Sequence, residues 1–144
     1  MNSSIENVRE EVWSHFKDFQ AIFLATIDAS APRVRPVTLI HFDKKMWVTT
    51  GSGDAKIKQI QTNNKIEFCL LLGTGGESGY VRCNGRAEIV GDAATRKLIA
   101  DNTPFFKTFW KTADDPGYTL LRIHAEEVEY LRPGTLKVER FSVA

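Results

Sequence analysis

The chain has 144 residues, of which 42% are apolar, and this is enough to bury the core of one domain without metals or disulfides. Its 19 basic and 18 acidic side chains nearly cancel, so the net charge of +1 creates no long-range field for nucleic acid or an anionic membrane. The apolar runs are far shorter than the roughly 20 residues that cross a bilayer, and the polar start lacks the pattern of a secretory signal. We therefore expect one cytoplasmic domain, residues 1–144, with no nucleic-acid or membrane partner.

The first predicted element is an amphipathic helix, because apolar residues recur at helical spacing over residues 5–19. After it the sequence changes to β-branched and aromatic runs separated by turn residues. This pattern predicts three antiparallel strands joined by hairpins. They are expected at residues 21–27, 33–42 and 46–50.

The remainder of the chain alternates short helices with further strands. Asp54 is the predicted N-cap of a helix that runs to about residue 63, and Asp92 caps a later one. Pro104 is expected to begin another helix at its first position. Strands are predicted at residues 65–72, 79–90 and 118–131, and the tail after them is expected to add an edge strand. Gly85 lies inside one of these strands and predicts a bulge or a barrel corner.

Short strands in hairpin order, with helices inserted rather than alternating one for one, favour an antiparallel barrel over a doubly wound parallel sheet. The predicted class is mainly β (α+β), with about six strands and three or four helices. Cys69 and Cys83 lie in apolar runs and are interpreted as buried, inert thiols. The three histidines lack the spacing of metal ligands, so no metal site is predicted.

One block, PRVRPVTLIHFDKKMWVTTGSGDAKIKQI, carries most of the functional information. It places Arg35 on a strand and Lys56 in the first turn of a helix, with Thr49, Thr50 and Ser52 between them. Hydroxyls and two cations at a helix N-terminus suit a phosphate dianion, whereas the alternative is a polar corner with solvated charges. The phosphate loops GxxxxGK[ST] and GxGxxG are absent, which disfavours a nucleoside triphosphate.

The block resembles the cofactor-binding core of the pyridoxamine 5'-phosphate oxidase-like superfamily, and especially its general stress protein 26-like branch. This resemblance implies a six-stranded antiparallel split β-barrel with peripheral helices that binds FMN at the interface of a homodimer. It also implies that Arg35 and Lys56 hold the FMN phosphate. The residues that the resemblance assigns to the cofactor are Arg35, Pro36, Val37, Thr38, Thr49, Thr50, Ser52, Lys56 and Trp110.

Trp110 belongs to an aromatic run with Phe105, Phe106 and Phe109, whose spacing is typical of one helical face packed into a core or a dimer contact. The functional alternative is that the partner subunit's Trp110 closes over the flavin ring, because indole offers a large flat surface at low entropic cost.

Three departures from the oxidase itself bear on activity. Ile40 stands in place of a lysine that serves cofactor and substrate, Ala55 in place of a phosphate-side arginine, and Tyr80 in place of a glutamine near the flavin. Isoleucine cannot donate a hydrogen bond, so pyridoxamine-phosphate oxidation is not expected.

The expected function is an FMN-dependent oxidoreductase that acts on an unknown small molecule, with no catalytic residue assigned. The alternatives are a non-catalytic flavin-binding stress-response protein, an F420-dependent reductase and, less favoured, a haem-binding split barrel.

Overall fold

The computed structural model describes residues 2–73 and 76–143. Within that part, every strand pairing is antiparallel. The described elements are α1 Asn2–Ser14, β1 Phe19–Asp28, β2 Ala31–Phe42, β3 Lys45–Gly51, α2 Ala55–Thr62, β4 Lys65–Leu72, β5 Gly79–Val90, α3 Ala93–Asp101, α4 Phe106–Phe109, β6 Tyr118–Leu131 and β7 Val138–Ser142.

The long strand β6 closes the sheet into a barrel. Neighbouring strands follow the order β3-β2-β1-β4-β5-β6-β7, and β3 also pairs with β6. One edge of β6 pairs with β5. The other edge pairs first with β3 and then, further along the strand, with β7. The result is a closed six-stranded antiparallel barrel with a seventh strand at its edge, which confirms the predicted split-barrel fold and the edge strand in the tail.

Two hydrophobic cores lie on opposite faces of the barrel wall. The inner core fills the barrel and is covered by α1 and α2 through Val12, Ile57 and Ile60. The outer core packs α3 and α4 against the outside of β2, β3 and β6. Because side chains alternate along a strand, successive residues enter different cores. Such pairs are Leu39 with Ile40, Val48 with Trp47, and Leu121 with Leu120.

Two helix predictions were wrong at their ends. The first helix stops at Ser14, because Phe16 packs into the inner core and Phe19 opens β1. The helix expected to begin at Pro104 begins at Phe106. Thr103 explains this shift. Its hydroxyl donates to the Ile99 carbonyl at 2.7 Å, and its own carbonyl accepts from Phe106 N at 3.0 Å. These two bonds stabilise a turn between α3 and α4.

Two local predictions are confirmed. The β5–β6 register shifts between Asn84 and Gly85, and a Cβ on Gly85 would lie 1.9 Å from the His124 carbonyl oxygen, so no side chain fits there. Asp92 caps α3 by accepting from Thr95 N at 2.9 Å.

The two cysteines differ in burial, since Cys83 is buried in the inner core and Cys69 is only partly buried. Both thiols are free. In the described part of the chain, every helix is too short or too polar to span a membrane.

A four-residue cluster ties α1 to the end of β6. Arg132 donates to Glu11 through Nε at 2.6 Å and Nη2 at 2.9 Å, and the Tyr130 hydroxyl donates to the same carboxylate. His15 Nε2 lies 3.0 Å from that hydroxyl. The hydrogen bonds from Arg132 and Tyr130 lower the pKa of Glu11 from 4.5 to about 2. The folded state therefore favours the ionised carboxylate.

Replacing Glu11 by Gln should lower the melting temperature at neutral pH by a few degrees, because a partly exposed pair of this kind contributes about 1 kcal/mol. The pKa of Glu11 is lower in the folded chain, so its contribution is complete above about pH 4.5 and disappears as pH falls through about 2. Circular-dichroism melts from pH 2 to pH 7 measure this. Glu10→Gln on an exposed part of the same helix is the control, and equal melting temperatures for the two variants would contradict the role of Glu11.

Candidate functional site

The pairing of β3 with β6 brings two turns together that are distant in sequence. The paired segment ends with Gly51 opposite Tyr118. Just beyond it, Ser52 N donates to the Gly117 carbonyl at 2.9 Å, and Ser52 Oγ donates to the Pro116 carbonyl at 2.8 Å. Ser52 Oγ also lies 2.8 Å from Thr119 Oγ1. The turn after β3 is thus fixed against the loop before β6.

Trp110 is positioned by the same loop. Its Nε1 donates to the Gly117 carbonyl at 3.0 Å, the acceptor that Ser52 N also uses. The indole packs against Phe106 and Tyr118, with ring centroids 5.2 Å away in both cases. The predicted aromatic packing of Trp110 is therefore observed, and the hydrogen bond to Gly117 holds the indole next to the turn after β3.

A cleft of about 650 Å³ lies between the first turn of α2 and the aromatic side chains after α3. Thr38 and Thr49 in its wall face outward, because they alternate with residues of the inner core. The cleft has a charged end and an aromatic end, an arrangement that suits a planar ligand with an anionic tail. Its lining residues are Val37, Thr38, Thr49, Thr50, Gly51, Asp54, Lys56, Phe105, Phe109 and Trp110.

The cleft brings together six of the nine residues assigned from the sequence. These six are Val37, Thr38, Thr49, Thr50, Lys56 and Trp110. The Trp110 that lines it belongs to the same subunit as Lys56, whereas the functional alternative for this residue placed the partner subunit's Trp110 over the flavin. Sequence reasoning missed Phe105 and Phe109 as lining residues because their spacing indicated a core face. It missed Asp54 because the residue was assigned to helix capping.

The charged end of the cleft is an ion pair with a hydroxyl. Lys56 Nζ donates to Asp54 Oδ2 at 2.9 Å, and Thr50 Oγ1 donates to the same oxygen at 2.8 Å. The Lys56 side chain is only 10% exposed, whereas that of Asp54 is 52% exposed. The hydrogen bonds from Lys56 and Thr50 lower the pKa of Asp54. The carboxylate is therefore ionised at neutral pH.

Arg35, Pro36 and Ser52 are not among the lining residues. The Arg35 guanidinium donates to the Leu24 carbonyl at 2.9 Å, to Thr26 Oγ1 at 2.8 Å and to Gln59 Oε1 at 3.1 Å. Burial lowers the pKa of Arg35, although an arginine keeps its charge in proteins. These bonds engage three of its five N–H groups, so Arg35 connects β1 and β2 to α2.

A larger concavity of about 920 Å³ lies beside α3 and α4. Two of its four cationic residues donate to partners within the protein, and the other two, Lys107 and Lys111, are exposed lysines. Arg96 donates to the carbonyls of Tyr118 and Ala113 at 2.9 Å each, and Lys97 donates to Asp101 at 2.6 Å. Among the residues with described positions, no group of three or more His, Cys, Asp or Glu side chains could hold a metal ion. The smaller cleft combines an enclosed lysine with an aromatic wall and is therefore the better candidate site.

Solved structures with the same fold cover most of the chain. A NimC/NimA family protein from Clostridium acetobutylicum superposes with a TM-score of 0.75 at 21% identity, over 93% of this chain and 91% of that one. General stress protein 26 from Bacillus anthracis gives 0.73 at 22% identity, over 93% and 98%. A heme binding protein from Mycobacterium smegmatis gives 0.72 at 14% identity, over 87% and 53%. At these identities the likeness establishes the fold alone.

No curated protein matches the sequence. The family model for pyridoxamine 5'-phosphate oxidase does match it, over residues 8–132. That span begins within α1 and ends just after β6, so it includes the whole barrel and the cleft. The chain belongs to the pyridoxamine 5'-phosphate oxidase family.

Proposed function

We propose that the chain binds FMN in the cleft and acts as an FMN-dependent oxidoreductase on a small molecule. The observation that carries this proposal is the joint position of a nearly buried lysine, a buried threonine and three aromatic side chains in one cleft. An ammonium group that is largely removed from water favours an anionic partner, and the aromatic wall favours a planar ring. A flavin mononucleotide has both parts.

The two ends of the cleft would bind different parts of such a ligand. Lys56 Nζ and Thr50 Oγ1 would donate to the phosphate, since both point to one spot at the charged end. Phe109 and Trp110 would contact the ring from the aromatic end. The flavin would supply the electron-transfer chemistry, while the protein positions the ring and limits its contact with water.

Oxidation of pyridoxamine 5'-phosphate itself is not part of the proposal. Ile40 is 2% exposed and packs in the outer core with Trp47, so it offers no donor to a substrate. The Tyr80 hydroxyl donates to Glu129 at 2.6 Å and does not line the cleft. Neither position provides the polar group that the oxidase uses there.

Haem is the second candidate ligand, because a protein of the same fold is described as heme binding. A haem requires an axial ligand, which is commonly histidine. None of the three histidines is among the residues that line the cleft. His15 contacts Tyr130, and His124 contacts Glu88. The donor set of the cleft therefore favours a flavin.

The absorption spectrum of the purified protein, followed by mass spectrometry of the released small molecule, tests the ligand. A two-band flavin spectrum with FMN released is the expected result. A haem spectrum, or release of F420, would contradict it. Steady-state oxidation of NAD(P)H then separates an oxidoreductase from a flavin-binding protein without turnover.

Replacing Lys56 by Ala should weaken FMN binding by about 2 kcal/mol, or roughly thirtyfold, because a charge-assisted hydrogen bond to the phosphate is lost. Riboflavin, which has the same ring without the phosphate, should bind both forms nearly equally. Fluorescence titration with the two flavins measures the difference. Lys58→Ala is the matched control, since Lys58 is exposed on the same helix. Equal FMN affinities for the two variants would place the phosphate elsewhere.

We propose further that two copies of the chain form a homodimer through the uncovered outer face of β1, β2 and β4. Phe23 is 44% exposed, Val34 68% and Leu71 65%. Phe23 lies opposite Pro36 on β2 and Cys69 on β4, so these strands present one apolar surface. The surface continues along β2 to Thr38 in the cleft. A second copy on it would cover the open side of the ligand.

A charge in the middle of this surface should abolish the dimer. Phe23→Glu should sediment as a monomer, because an ionised carboxylate cannot be buried unpaired in an apolar interface. Analytical ultracentrifugation measures the effect, and flavin occupancy should fall with it. Leu136→Glu is the control, since Leu136 is 99% exposed and lies between β6 and β7. A Phe23→Glu variant that sediments like the wild type would contradict this interface.

A further inference from the structure

Asp54 already holds the two groups that are assigned to the ligand's phosphate. One oxygen of its carboxylate, Oδ2, accepts from both Lys56 Nζ and Thr50 Oγ1. Carboxylate and phosphate oxygens are the same kind of acceptor for an ammonium and a hydroxyl. The protein thus carries its own anion at the charged end of the cleft.

Helix capping does not account for this arrangement. Asp54 occupies the N-cap position of α2, but its side chain makes no hydrogen bond to a backbone N–H of that helix. Asp92 at the equivalent position of α3 does make one, to Thr95 N. The carboxylate of Asp54 is therefore directed by Lys56 and Thr50, rather than by the start of the helix.

The two members of the ion pair differ in their freedom to move. The Lys56 side chain is enclosed by the cleft, whereas about half of the Asp54 side chain faces solvent. A carboxylate that leaves the pair regains water, but an ammonium left behind loses its only anion among the described contacts. A ligand anion that replaces Asp54 would restore that partner.

We propose that the Asp54 carboxylate competes with the ligand's phosphate for Lys56 and Thr50. The phosphate binds to these two groups only when it displaces the carboxylate from them. This inference rests on the proposed function, because it assigns the same end of the cleft to the phosphate. A bound phosphate beside a retained carboxylate would also be repelled by it. Asp54 consequently narrows the difference in affinity between a flavin with a phosphate and one without.

The test compares wild type, Asp54→Asn and Asp54→Ser by fluorescence titration with FMN and with riboflavin. Both substitutions remove the charge, and both keep a residue that is favourable at an N-cap, so α2 is retained. FMN should bind about tenfold more tightly to each variant, because one negative charge has been removed beside the phosphate. Riboflavin affinity should change less than about twofold, since riboflavin has no phosphate for the carboxylate to oppose.

Asp92→Asn is the matched control, because it removes one negative charge at the start of another helix, outside the cleft. It should bind both flavins like the wild type. Unchanged or weaker FMN binding by the two Asp54 variants would overturn the inference. So would an equal gain for riboflavin, which would show a general effect on the cleft.

A second measurement does not depend on flavin. The melting temperature in increasing inorganic phosphate should rise for the Asp54 variants and change less for the wild type and Asp92→Asn, because a bound anion stabilises the folded state. Equal responses in all forms would overturn the inference. If no form binds either flavin while this difference is present, the proposed cofactor is wrong and the competition at Lys56 stands.

Discussion

The antiparallel pairing of β3 with the first half of β6 is the constraint on which the rest of the structure depends. It closes the barrel, and it leaves the second half of β6 free to pair with β7. Because the pairing ends at Gly51 and Tyr118, the turn after β3 and the loop before β6 lie side by side. That contact places the start of α2 next to Trp110. Without closure, the two ends of the cleft would belong to separate parts of the chain.

The barrel wall serves different purposes on its two faces. Its inner face forms a packed core, whereas the helices α3 and α4 cover its outer face mainly over β2, β3 and β6. The cleft forms at the margin of that cover, where Thr38 and Thr49 remain accessible to a ligand. Beyond the margin, the outer face of β1, β2 and β4 stays apolar and exposed. A ligand in the cleft and a second subunit on this surface would therefore be neighbours.

The two cations assigned to the site from the sequence, Arg35 and Lys56, both have partners within the protein. Arg35 bonds Leu24, Thr26 and Gln59, and Lys56 is paired with Asp54. The whole chain has a net charge near zero, and within the cleft the charges of Lys56 and Asp54 likewise cancel. Under the proposed function, selectivity for an anionic ligand would depend on whether the ligand or Asp54 is the better acceptor for Lys56, since the chain has no surplus charge to attract the ligand from a distance.

The sequence by itself determined the antiparallel barrel, most strand positions and the bulge at Gly85, because hydrophobic alternation and turn residues act locally. The family followed from the resemblance of residues 32–60 to a known cofactor-binding core and from the match of the family model. Local patterns also placed Lys56 at the start of a helix. Only the tertiary structure decided which residues share the cleft. It turned Arg35 toward Gln59, joined Trp110 to Lys56 within one subunit, and gave Asp54 a partner other than its own helix. These outcomes follow from contacts across the β3–β6 closure and between strands and α2, which no local pattern encodes.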